Sequence, residues 1–326
     1  MRLGLVKVSV VIPTYNADIC FQDFLDKISD QKGDFEREIL VVDSGSTDGT
    51  VELAERYGVT VHRIPKSEFN HGATRNLGIS LSSGKYVVLT VQDAVPLDER
   101  WLAAMVENLE KDERVAVVYS RQIPRPETSV LSRALVNNLA TASLDRREQA
   151  IDDPEEYRAL RPVERRRIAA FDDVSSCLRR SVWEEFPFEK TSFAEDLRWG
   201  KKVVEAGYKV VYEPRSVVVH SHERGALYDL RRHYVDQLVL IELFGAALVP
   251  NLWRLILGIP YFTWHVYRLL RREEPASKER LRFMLLAAKY AVSTQVGAYL
   301  GGKGGAIARL SPRVHERLHQ FLGKSI

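Results

Sequence analysis

EFNHGATRNLG, residues 68–78, ends in an Arg-Asn pair that opens a helix. One strand later, TVQDAVP, residues 90–96, closes an apolar β-forming run, 85–91, on a lone carboxylate, Asp93. A run that apolar is what a strand buried on both faces needs. A carboxylate at the carboxyl end of such a strand stands where open α/β sheets bind ligands. A nearby arginine suits a diphosphate, because its planar fork matches phosphate oxygens. Together they point to a site for a metal-bridged nucleotide diphosphate.

The flanking elements fit that sheet. Residues 6–12 are a continuous apolar strand, and 18–29 carry helical spacing at Ile19, Phe21, Phe24, Leu25 and Ile28. Residues 38–42 form a second strand. Asp48 is expected to cap a helix over 49–57, which Gly58 ends. Strand 59–64, helix 73–81, strand 85–91, helix 98–110 and strand 115–123 follow. This βαβ alternation implies an α/β fold with a mostly parallel sheet covered by helices. The pattern then changes. Residues 125–168 are rich in Arg, Glu and Pro around one apolar helical stretch, 130–139. RPVERRR there reads as a solvated loop, with a mobile acceptor loop as the functional alternative. Helix 192–206 and strands 209–213 and 217–219 come next, and from Leu227 the chain reads as helical. GAYLGGKGG, 297–305, has no strand before it and reads as a helix end and linker, not a phosphate loop.

The chain has 326 residues, 45% hydrophobic, enough for a catalytic domain over 1–225 and a helical region over 226–326. A net charge of +3, with basic and acidic residues interleaved, excludes a strong nucleic-acid footprint. Cys20 and Cys177 lie far apart without CxxC spacing, which argues against a disulfide framework or zinc site and fits a reducing cytoplasm. No signal-peptide core precedes the first strand. The most apolar region, 238–270, is interrupted by Glu242, Pro250, Arg254 and Pro260, so it is not expected to span a membrane. Its aromatic residues, mixed with Arg254, Arg268, Arg271 and Arg272, suit an interfacial helix pair at the inner membrane face, an ordinary helical subdomain or an oligomer contact.

Four positions carry candidate chemistry. Asp43 ends the second strand in DSGSTDGT, and Asp93 ends the fourth. Glu195 and Asp196 form an acidic pair at a helix start, and His220 and His222 follow a strand as HSH. Each has a plainer reading: an acid can complement a helix N-terminus, and a strand-end histidine can be structural. Their shared placement, at strand ends and helix starts, favours a site. The fitting reaction is displacement at a sugar carbon bearing a nucleotide diphosphate. Its leaving group calls for a divalent cation, and a hard cation takes one or two protein ligands plus phosphate oxygens. Asp93 with His220 or His222 would suffice, for Mg²⁺ or, given a histidine, Mn²⁺. The acceptor hydroxyl must lose a proton, and Asp196 can take it.

Residues 7–225 resemble the family-two inverting glycosyltransferases of GT-A fold. VSVVIPTYNA, ILVVDSGSTDGT, GATRNLG and AEDLRWGKKVVEAGYKVVYEP match four of that family's elements in order. FNHG, QDA in place of the usual Asp-x-Asp, and FDDVSSCLRRSVWEEFPF are similar to bacterial rhamnosyltransferases, which transfer L-rhamnose from dTDP-L-rhamnose. The resemblance implies that Pro13, Thr14, Tyr15 and Asn16 line the nucleoside pocket and that Asp43 contacts base or ribose. Ser44 departs from the family's second acid. Arg75 is implied to meet the diphosphate or hold the nucleotide loop. Asn70 and His71 touch sugar or diphosphate, or form a turn. Asp93 is the surviving acid of its element, and Gln92 cannot supply charge, so His220 or His222 compensates. Asp196 is the implied base, with Glu195 orienting it or binding acceptor. The acceptor would be a cell-surface glycan or lipid-linked hydroxyl, read by residues 125–168.

Three alternatives stay open. One is a UDP- or GDP-sugar donor on the same scaffold. A second is a nucleotidyltransferase, disfavoured because PTYNAD has neither the glycine nor the base its phosphate loop needs. The third is a non-catalytic sugar-binding scaffold.

Overall fold

The computed structural model describes residues 5–17, 20–191 and 193–323. Its strands are β1 (Val6–Thr14), β2 (Phe35–Asp43), β3 (Thr60–Arg63), β4 (Tyr86–Thr90), β5 (Val95–Pro96), β6 (Val115–Ile123), β7 (Arg147–Gln149), β8 (Ser175–Arg179) and β9 (Lys209–Val219). Among the described residues they form one sheet in the order β3-β2-β1-β4-β8-β6-β9-β5, with β7 also on β9. β1, β2, β3, β4, β6 and β9 share one direction, and β8, β5 and β7 oppose it. The apolar runs become the middle of this sheet: Val8, Val10, Val11 and Ile12 of β1 and Val87, Val88 and Leu89 of β4 are fully buried.

β8 is absent from the sequence reading because SSCLR does not look apolar. All five of its residues are buried, and their polar groups are satisfied internally. Ser175 Oγ accepts from Trp101 Nε1 at 2.9 Å, and the Arg179 guanidinium donates to the carbonyls of Val115 and Leu109. Hydrogen-bonded polar groups can be buried without the apolar signature that marks a strand. The two expected strands 209–213 and 217–219 are one strand, β9. Its register on β6 slips between Ser120↔Glu213 and Arg121↔Val217.

The helices are α1 (Cys20–Ser29), α2 (Thr50–Arg56), α3 (His71–Leu81), α4 (Trp101–Lys111), α5 (Val130–Asn137), α6 (Pro154–Ala159), α7 (Pro162–Ala169), α8 (Arg180–Glu185), α9 (Glu195–Glu205), α10 (Ala226–Phe244), α11 (Leu252–Glu273), α12 (Arg280–Leu310) and α13 (Pro312–Leu322). Asp18 and Ile19 of the expected first helix, and Ser192 at the expected start of α9, lie outside the described residues. The expected Asp48 cap is corrected. Gly49, with φ 88°, is the N-cap of α2, and Asp48 instead accepts from the amide and hydroxyl of Thr50. RPVERRR is not a loop but lies in and just before α7, with Pro162 in its first turn and the Glu164 carboxylate accepting from the Arg161 amide at 2.9 Å.

GAYLGGKGG is also corrected: it lies inside α12. A Cβ on Gly297 would sit 2.3 Å from the Leu230 carbonyl oxygen, and one on Gly301 2.5 Å from that of Tyr234. These glycines let α12 approach α10 at backbone distance, so packing outweighs their poor helix propensity. Gly301→Leu is expected to destabilise the protein by about 1–3 kcal/mol through overpacking, read as a lower urea midpoint. An unchanged midpoint would mean that the two helices part at no cost.

The chain divides into two compact units, residues 1–123 with 140–220, and residues 124–139 with 221–326. The first unit therefore ends five residues before the expected boundary at 225, and α5 belongs to the second. There Val130 and Ala134 pack on Val266, Leu269, Leu270, Phe283 and Ala287.

Candidate active site

The loops after β1 and β2 lock to each other. Asp43 is buried, and both carboxylate oxygens accept: Oδ1 from the amides of Gly45 and Ser46, Oδ2 from the hydroxyls of Thr14 and Ser46. Asn16 takes φ 43° while its Oδ1 accepts from the Thr47 amide at 2.9 Å. Pro13 lies within β1, paired with Val42. The Tyr15 ring is exposed, with Lys66 Nζ 4.0 Å from its centroid. Ser44 is buried, and its hydroxyl has no hydrogen-bond partner in the protein.

Gln92 binds the backbone of Tyr15 from both ends of its amide. Oε1 accepts from the Tyr15 amide at 2.9 Å, and Nε2 donates to the Tyr15 carbonyl at 3.3 Å. A carboxylate could make only the first bond. The residue that leaves the site short of one charge thus clips the β1 loop to the end of β4.

Asp93 follows β4, and His220 follows β9, on the same carboxyl edge. Asp93 Oδ1 lies 3.7 Å from His220 Nε2, and both side chains are largely buried. A cation between them could bond both the anionic oxygen and the imidazole nitrogen, since two bonds of about 2.1 Å together exceed that separation. His222 stands two residues further along the chain.

α3 organises the other half of the site. Asn70 is its N-cap, with Oδ1 accepting from the Ala73 amide at 3.1 Å, and His71 and Gly72 lie in the helix rather than in the expected turn. A Cβ on Gly72 would lie 2.0 Å from the Glu189 carbonyl oxygen, so glycine is needed for that close approach. Arg75 is buried, its Nη1 2.6 Å from Glu195 and its Nε 3.2 Å from Asp173. His71 Nδ1 stands 3.9 Å from Glu195. Asn76 fixes the segment leading towards α9: its Oδ1 accepts from Trp183 Nε1 and the Phe188 amide, and its Nδ2 donates to the Phe188 carbonyl. Trp199 anchors α9, stacked on Phe188 and edge-on to Phe171.

Asp196 is in the first turn of α9, just after Ala194, which adopts a left-handed φ of 59°. Burial, then the charges of Glu195, Asp173 and Asp172, raise the proton affinity of Asp196 well above a carboxylate's usual range. Burial, reinforced by Glu195 and opposed by Arg75, pushes Asp173 up to about 7. Arg75 is held in its charged form by Asp173 and Glu195 against the cost of burial. The structure thus joins Arg75, Glu195 and Asp196 in one cluster, and Asp93 with His220 in another.

Asp172 and Asp173 were not singled out from the sequence. They precede β8, and because β8 runs antiparallel, with Ser175 opposite Thr90, its start reaches the edge where β4 ends. The two acids of FDD before SSCLR were the available signal, but only the strand direction gives it meaning.

The glycosyl transferase family 2 domain matches residues 9–170. The chain is 32% identical over 235 residues to the O-antigen chain rhamnosyltransferase RfbN of Salmonella typhimurium, covering 70% of this chain and 71% of that protein. It is 29% identical over 231 residues to the O-antigen chain rhamnosyltransferase WbaN of Salmonella anatum, covering 69% and 70%. In fold it is similar to the mannosyltransferase PcManGT of Pyrobaculum calidifontis, solved with GDP-Man and Mn²⁺. The TM-score is 0.53 at 22% identity, over 98% of this chain and 86% of that one.

Proposed function

The chain belongs to glycosyl transferase family 2 and is a glycosyltransferase of GT-A fold, and from that premise we propose an inverting transfer of L-rhamnose from dTDP-L-rhamnose to a glycan or lipid-linked hydroxyl. The observation that carries the mechanism is Asp196, a helix-start carboxyl whose proton affinity is raised by burial and by three neighbouring acids. A base works best when its pKa lies near the operating pH.

In the proposed reaction the acceptor oxygen attacks the anomeric carbon from the face opposite the diphosphate. Asp196 takes the hydroxyl proton as the new C–O bond forms. The bond to the diphosphate oxygen breaks with its electron pair, and the configuration inverts. Glu195 and Asp173, themselves paired with Arg75, keep the proton affinity of the base raised. Asp93 and His220 would hold a divalent cation, Mg²⁺ or Mn²⁺. Bound there, it would neutralise charge developing on the diphosphate. Thr14, Tyr15, Asn16 and the buried Ser44 hydroxyl face the nucleoside, and Asp43 keeps their loop in shape. The rhamnosyl donor is supported by the names of the two Salmonella relatives and by the FNHG and QDA elements.

A thermal-shift series tests donor and cation together. dTDP with Mn²⁺ is expected to raise the melting temperature, since a ligand at 100 times its Kd stabilises by about 2.7 kcal/mol. Asp93→Ala should lose the metal-dependent part. A shift with UDP- or GDP-sugars alone would overturn the rhamnosyl reading, and a shift equal with and without metal would overturn the cation.

The second unit supports contact with an anionic membrane surface at the cytoplasmic face. Among the described residues no helix is long and apolar enough to cross a membrane. α11 is unbroken at Pro260 and exposes Trp253, Leu257, Tyr261 and Trp264 at helical spacing, beside Arg254 and Arg268. Aromatic and apolar side chains flanked by arginines suit a headgroup region rather than water. Sedimentation with phosphatidylglycerol vesicles at low salt is expected for the native chain and not for Trp253→Glu with Tyr261→Glu. Binding to neither phosphatidylglycerol nor phosphatidylcholine, or a dimer that the double variant dissolves, would reject the membrane.

A further inference from the structure

We propose that Gln122 is a positioning residue: it sets the His220 imidazole for cation binding and ties that half of the site to the acid cluster. The inference rests on the reading of Asp93 and His220 as cation ligands. Gln122 is the penultimate residue of β6, paired with Val218, and is buried. Its Nε2 donates to Asp172 Oδ2 at 2.8 Å, and its Oε1 lies 3.2 Å from His220 Nδ1.

The polarity of this chain of bonds follows from the groups in it. An ionised carboxylate only accepts, so the amide NH₂ must face Asp172. The amide oxygen then faces His220. A carbonyl oxygen also only accepts, so Nδ1 carries the hydrogen. In the neutral imidazole, the form that binds a metal, Nε2 then carries the lone pair, on the side of Asp93 Oδ1, 3.7 Å away. Two electron-pair donors facing each other at that distance suit a cation between them. The other tautomer would place a hydrogen on Nε2 and block coordination. A ligating histidine is commonly oriented by the partner of its other nitrogen, and loss of that partner typically weakens metal binding about 10–100-fold.

The same amide meets the loop that carries Asp173, which Arg75 contacts directly. Val174 donates its amide to the other oxygen of Asp172 at 2.9 Å, so that carboxylate is held from two sides. Gln122 therefore spans the exits of β6 and β9 and the entrance of β8. Reversing the amide would set its oxygen against the carboxylate and its NH₂ against the imidazole, so one orientation serves both partners.

Two variants of the full chain separate orientation from simple packing, with Mn²⁺ titrated calorimetrically with and without dTDP. Gln122→Leu removes the acceptor for His220 and is expected to weaken Mn²⁺ about 10–100-fold. Gln122→Glu keeps an acceptor for the Nδ1 hydrogen while losing the donor to Asp172. Its Mn²⁺ affinity is expected to stay close to that of the native chain even if its melting temperature falls. A folded Gln122→Leu protein with native affinity overturns the inference, and so does a folded Gln122→Glu protein with weakened affinity. The second result stands on its own if the leucine variant does not fold. A native chain that transfers sugar but takes up no Mn²⁺ removes the cation reading itself, and the inference with it.

Discussion

Asp196→Asn is expected to abolish sugar transfer while leaving donor binding intact. Asparagine keeps the shape of the side chain but cannot accept the acceptor's proton, and a positioned base typically contributes about 10²–10⁴-fold. Single-turnover transfer and donor affinity, measured on the same preparation, check this. Undiminished turnover would take Asp196 out of the base role and reopen the reading of a binding scaffold. The pH profile adds a second check. Burial and the charges of Glu195, Asp173 and Asp172 raise the proton affinity of Asp196. Activity of the native enzyme should therefore rise with pH over a range above that of an ordinary carboxylate. Asp173→Asn removes one negative neighbour, so the acid limb should move to lower pH; a shift upwards would contradict the electrostatic account.

Replacing Arg75 by alanine should cost stability on a scale few other substitutions reach. The guanidinium is buried between Asp173 and Glu195. Breaking a buried pair by removing one partner typically costs about 3–5 kcal/mol, because the remaining charge stays buried and unmatched. The pH dependence has a definite sign. Asp173 is pushed up to about 7 in the folded state, from an ordinary value near 4. The folded state therefore holds the Asp173 proton more tightly than the unfolded chain, and stability from this group falls as pH rises from about 4 to about 7. Without Arg75 the folded value rises further, so the loss in Arg75→Ala should be smallest at acid pH and grow towards neutrality. Urea midpoints across that range measure it. A midpoint as high as that of the native chain would mean that the arginine is not what holds these acids, and would return it to the diphosphate.

Much of the architecture was legible along the chain. Runs such as 6–12 and 85–91 are apolar at every position because their strands are covered on both faces, and that signal needs no tertiary knowledge. The same route placed Asp93 and His220 just after strands and Glu195 and Asp196 at a helix start, as they stand, since such ends can be located from periodicity. β8 was not found: its serines and arginine are buried by hydrogen bonds to Trp101, Ser120, Val115 and Leu109 rather than by apolar character. The glycines of α12 misled for a related reason. Their poor helix propensity is local, whereas the close approach to α10 that retains them is not.

The sequence by itself determined the α/β sheet and the strand ends and helix start at which the candidate acids and imidazoles stand. Only the tertiary structure decided how they are grouped. It put Arg75 against Asp173 and Glu195, gave Gln92 to the backbone of Tyr15, and, through the antiparallel course of β8, brought Asp172 within reach of Gln122. Hydrophobic periodicity is a property of neighbours in the chain, and so it can be read there. Charge pairing and the direction of a buried hydrogen bond depend on groups far apart in sequence, which the low dielectric of the interior makes decisive only once folding has set them side by side.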